Sequence, residues 1–71
     1  MTQSSTNVSN HQHDLVSVLY HALEGAQTYS KYIQDAQQAG NQELAQFFQQ
    51  IQQEDNARAQ KAMQLLSKMA S

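Results

Sequence analysis

One break, Gly40-Asn41, divides two long stretches that contain no proline and in which apolar residues recur in alternating steps of four and three. In the first stretch, about 13–39, the positions are Leu15, Leu19, Ala22, Ala26, Tyr29, Ile33 and Ala36. In the second, about 42–69, they are Leu44, Phe48, Ile51, Asp55, Arg58, Ala62, Leu65 and Met69. That spacing winds into one stripe of an amphipathic helix. Val16, Val18, Leu23, Tyr32, Phe47 and Leu66 widen the stripes beyond a minimal coiled-coil seam. Glycine at 40 supplies a left-handed stop, and asparagine at 41 can cap the next helix. A link this short turns the second helix back on the first, so the predicted fold is an all-α antiparallel hairpin. Residues 1–12, mostly Ser, Thr, Asn and Gln without periodicity, read as a disordered amino-terminal tail, leaving 13–71 as the hairpin domain.

The hairpin implies a register. If the chain reverses about Gly40, residues whose numbers sum to roughly 80 face each other across an αα-hairpin. Ala36 then meets Leu44, Ile33 meets Phe48, and Tyr29 meets Ile51. Leu19 meets Ala62, and Leu15 meets Leu65. In between, Asp55 falls opposite Ala26 and Arg58 opposite Ala22, so two small side chains leave room for an acid–base pair. Helices of about 26 residues are ~39 Å long, and two of them cannot cover wide stripes by themselves. The expected solution is homodimerisation into a four-helix bundle, with Asp55 and Arg58 forming an ionic layer near a two-fold axis, the alternative for the two being an intrahelical i,i+3 ion pair at the stripe edge.

Composition narrows the function. There are 71 residues, so one small domain, and no cysteine, so neither a disulfide nor a thiolate metal site. A net charge of -2 with four scattered Lys and Arg speaks against nucleic acid as the partner. No stretch approaches the ~20 apolar residues of a membrane span. The start "MTQSSTNVSNHQHD" lacks the basic and apolar runs of a secretory signal. A cytoplasmic protein is the expectation.

The run "YIQDAQQAGNQELAQFF", with its aromatic, Ala-rich first helix, Gly-centred turn and Phe-bearing second helix, resembles half of a ferritin-like bundle of the rubrerythrin type. The likeness covers about residues 14–69. In such bundles a Glu from one helix and a Glu-x-x-His from the next hold two irons. Aligned through Gly40, those positions fall on Ala22, Asp55 and Arg58. An alanine offers no ligand and a guanidinium no lone pair, so the resemblance implies a di-iron site that has been lost and replaced by the Asp55/Arg58 layer.

Other candidates read as surface. Glu24 lies about 200° around the helix from Ala22 at ~100° per residue, with Ser17, His21, Thr28 and Lys31. His11 and His13 form a His-x-His within the expected tail, and Asp14 offsets the first helix's dipole. Tyr29 and Tyr32 read as core or rim aromatics, Met63 and Met69 as packing. The expectation is a non-catalytic homodimeric bundle with a structural or protein-interaction role and no cofactor, its protein partner unidentified. The alternative is a small iron-binding protein in which His21, Glu24, Glu54 and Asp55 recruit the metal.

Overall fold

A computed structural model describes residues 7–70, which form two helices, α1 (Asn7–Gln38) and α2 (Gln42–Ala70). They make a hairpin, so the all-α reading holds at that level. α1 begins well before residue 13, and residues 7–12, expected in the tail, are helical. Nucleation is the costly step of helix formation. Once the periodic stretch is helical, each added residue gains a hydrogen bond for little extra ordering. The rest of the expected tail, residues 1–6, lies outside the described residues.

The turn is built from its local sequence. Gly40 sits at φ 74°, the left-handed region that side chains disfavour. Its N–H bonds to the Gln37 carbonyl at 3.0 Å, and the Asn41 N–H bonds to the Ala36 carbonyl at 2.9 Å. These two bonds are the Schellman pattern, and they satisfy carbonyls that the end of α1 would otherwise leave open. Asn41 then starts α2. Its Oδ1 accepts from the Leu44 N–H at 3.1 Å, an N-cap that satisfies one orphan donor.

The seam between the helices is made of small residues. The buried apolar side chains are Ala22, Ala26, Ala36, Ala45, Ala59 and Ala62. On α1 the predicted stripe holds, with Leu15, Leu19, Tyr29 and Ile33 half-buried between the alanines. On α2 the stripe is rotated from the predicted one. Phe48, Asp55, Ala62 and Met69 keep their places. Ala45, Gln52, Ala59 and Leu66 complete a regular seven-residue repeat; the expected Ile51 and Leu65 stay half-buried at its edge, while Leu44 and Arg58 are exposed. The reason is steric: the line of closest approach takes methyl groups, and the larger apolar residues are displaced to its flank.

The molecule is 14 Å through its thinnest dimension, little more than one helix. Large apolar side chains therefore stay in contact with solvent: Val18 is 42% exposed, Tyr32 43%, Leu44 39% and Phe47 55%.

Candidate functional site

The feature that distinguishes this hairpin from a plain alanine seam is a polar layer at mid-length. Gln52 lies on the seam, where its Nε2 donates to the Ala26 carbonyl at 2.6 Å and to Ser30 Oγ at 2.8 Å. That carbonyl lies inside α1, and its second lone pair serves the amide. The two bonds tie α2 to α1 at one register. Next to it, Asp55 faces Gly25, not the predicted Ala26. A Cβ built on Gly25 would stand 2.6 Å from Asp55 Oδ2. The missing side chain is what allows the carboxylate to sit there.

Arg58 lies beside this carboxylate. Its Nη1 donates to Asp55 Oδ1 within the same helix, three residues apart. The Asp55 side chain is only 14% exposed, while that of Arg58 is 53% exposed. The pair is thus asymmetric, its anion tucked against α1 and its cation at the edge of a shallow groove. That groove is lined by Ser17, Val18, His21, Ala22, Asp55 and Arg58, so Ala22 does lie near the guanidinium as the register predicted.

On the same side of the hairpin the apolar flank continues in both directions. Toward the open end, a groove runs between Leu15, Val18, Ala62 and Leu65, with Arg58 and Lys61 on its rim. Toward the turn lies an aromatic cluster. Tyr29 and Tyr32 meet edge to face at 5.5 Å, Tyr29 stacks on Phe48 at 6.3 Å, and Phe47 lies 5.9 Å from Phe48. Leu44, Ala36 and Ala39 extend it to the turn. The opposite side is more polar, its main groove lined by Tyr20, Leu23, Glu24, Gln27, Gln52 and Asn56.

The residues named as alternative iron ligands are engaged separately. Glu24 Oε2 accepts from the Tyr20 hydroxyl at 3.3 Å, and Glu54 Oε2 from Gln50 Nε2 at 3.5 Å. His21 Nδ1 donates to the Ser17 carbonyl at 2.8 Å. Among the described residues no group of three or more His, Asp or Glu side chains gathers to hold a metal ion. His11 and His13 are exposed on α1, and residues two apart on a helix do not face each other. No described helix is long and apolar enough to cross a membrane.

Gln52 and Gly25 are the residues that the sequence reading missed. Both signals were present. Counting sevens along α2 from Phe48 and Ala45 reaches Asp55 and Gln52. The facing rule that pairs Ala36 with Leu44 pairs Gly25 with Asp55.

No curated protein and no solved structure matches the chain. The resemblance to ferritin-like, rubrerythrin-like bundles is overturned by a family comparison. What "YIQDAQQAGNQELAQFF" shares with those bundles is the hairpin: long amphipathic helices, a glycine turn and aromatic packing, features common to short-linked helix pairs. The positions that would separate such families are the metal ligands, and an alanine at 22 and an arginine at 58 carry no ligand chemistry. A model of the family "Phosphoinositide-specific phospholipase C, efhand-like" matches residues 8–70, nearly all of the sequence, and the chain belongs to that EF-hand-like family.

Proposed function

We propose that this chain is a non-catalytic helical module that works as a homodimer. Two hairpins pack through the side bearing Leu15, Val18, Tyr32 and Leu44 into a four-helix bundle, which serves a structural or protein-docking role without a metal cofactor. The observation that carries the reading is the mismatch of sizes in the core. Among the described residues every buried apolar side chain is an alanine, each contributing about 0.8 kcal/mol for a methyl-sized group. The leucines, phenylalanines and tyrosines that could contribute ~1.5–3 kcal/mol each are left partly wet along one side. Small helical domains with so slight a core draw on a partner for stability. A reducing compartment such as the cytoplasm suits a chain without cysteine.

Membership in an EF-hand-like family raises the question of calcium. A calcium-binding EF-hand needs a loop of roughly twelve residues that supplies oxygen ligands. Here the helices are joined by residues 39–41, shaped by Gly40 and a capping asparagine. The reading therefore assigns no calcium to the turn, and no step of phospholipase chemistry to this chain.

Size-exclusion chromatography with light scattering tests the proposal. The expected mass is twice the 8.0 kDa of one chain. Val18→Glu and Tyr32→Glu, both at exposed positions, should return the monomer mass. A wild-type chain that is fully helical and monomeric at tens of micromolar would refute the reading.

A further inference from the structure

The side proposed to be covered has an internal symmetry that names its occupant and its orientation. All three acidic residues of α2, Glu43, Glu54 and Asp55, precede all three basic ones, Arg58, Lys61 and Lys68. The midpoint between acid and base falls between Asp55 and Arg58. Outward from that midpoint, the flank of α2 matches itself. Ile51 on one side corresponds to Ala62 on the other, Phe48 to Leu65, and Leu44 to Met69. Each pair sets a large apolar residue against a small or another apolar one, and the innermost pair is Asp55 with Arg58.

α1 repeats the pattern at the same level. Asp55 lies against Gly25, and Ala22 and Arg58 line one groove, so the midpoint of α2 sits opposite the point between Ala22 and Gly25. Outward from there, Val18 corresponds to Tyr29 and Leu15 to Tyr32. These residues recur at steps of three and four and share one face of the helix. Both helices thus point to one axis.

We infer that two copies of this chain dock with the turn of each over the open end of the other, on a two-fold axis through the layer of Ala22, Gly25, Asp55 and Arg58. This rests on the homodimer proposed above and adds its orientation. An isologous contact needs a patch complementary to itself after rotation. Under this rotation α2 lies antiparallel to its copy, so its acidic half faces the partner's basic half. The aromatic cluster of one chain meets Leu15, Val18 and Leu65 of the other. Arg58 has five N–H donors and gives one to its own Asp55. Its exposed edge reaches the carboxylate of the partner's Asp55, closing a ring of four charges with charge-assisted bonds. The other way of stacking two hairpins, turn beside turn, lays α2 over the partner's α1. Arg58 would then be pressed onto Ala22 and Gly25 of the partner, with its remaining donors unpaired and desolvated, which is costly.

The chain has no cysteine, so introduced thiols report contacts without interference. Leu44→Cys and Met69→Cys variants, each checked for helicity by circular dichroism, are oxidised alone and as an equimolar mixture. In the inferred dimer the two copies of position 44 lie ~37 Å apart along the axis at 1.5 Å per residue. Neither variant should then cross-link alone, while the mixture should give a disulfide-linked heterodimer. Val18→Cys mixed with Tyr29→Cys gives the same readout on α1, should either α2 variant lose its helicity. A Leu44→Cys homodimer that cross-links efficiently would overturn the orientation. A dimer by light scattering that cross-links in none of these combinations overturns it too. A monomeric wild-type chain is a separate outcome, which removes the homodimer itself.

Discussion

Gly25→Ala is the sharpest test of the polar layer, because its effect should change sign with the residue at 55. In the interior of α1 a glycine costs about 1 kcal/mol relative to alanine, so the substitution is favourable on helix propensity alone. The new methyl, however, would stand 2.6 Å from Asp55 Oδ2 and 3.5 Å from its Cγ, where ordinary contact begins at 3.4 Å. Asp55 is short, is held by Arg58 and is nearly covered, so it cannot swing away without releasing the guanidinium or spreading the helices. Overpacking of that kind costs about 1–3 kcal/mol. Gly25→Ala alone should therefore be neutral to destabilising, by up to about 2 kcal/mol once propensity is subtracted. Made in an Asp55→Ala background, where the carboxylate is gone, the same change should stabilise by about 1 kcal/mol. The four proteins form a double-mutant cycle, read by urea unfolding followed at 222 nm at one fixed chain concentration. A Gly25→Ala effect that is equally stabilising in both backgrounds would refute the close approach of Asp55 to α1.

Three further outcomes follow from the same geometry. Gln52→Ala should lower stability by about 1 kcal/mol, the net worth of its bonds to α1, and Ser30→Ala should add little once Gln52 is gone; urea melts of the single and double variants check this. Gly40→Ala should cost about 1–2 kcal/mol although no atom lies within 4 Å of the new methyl, because the left-handed backbone alone resists it; Gly40→Asn should cost less, and thermal melts decide. Arg58→Ala should destabilise more than Asp55→Ala, because the first strands a nearly covered carboxylate and the second frees a half-exposed guanidinium into water; an inverted order in denaturation would show that the anion is the solvated partner.

The fold could be read from the sequence because its two decisive signals are local. Gly40 and Asn41 specify a turn by backbone chemistry, and four-three spacing specifies helices whatever surrounds them. The register followed from the short link to within one residue: it put Asp55 opposite Ala26, and the carboxylate sits against Gly25. What could not be read by seeking large apolar residues was the rotation of α2. Leu44 looks like core on any hydrophobicity scale, yet it is exposed while Ala45 beside it is buried, since closeness there favours small volume over apolar area. Gln52 escaped notice for the same reason: a polar amide on a seam is recognisable only when the carbonyl it bonds is seen across the gap. The ferritin-like resemblance failed because the features it drew on belong to hairpins generally, while the family match extends over residues 8–70.

The alanine seam has a consequence for how this protein tolerates change. In most domains the costliest changes are those that trim a bulky interior residue. Here the order turns over. A larger side chain at Ala45 or Ala59 would act as a wedge, prising two stiff rods apart along their whole length and loosening positions many turns away. Trimming the exposed Phe47 would leave the rods where they are. A saturation scan of the chain should accordingly find Ala45 and Ala59 less forgiving than Phe47.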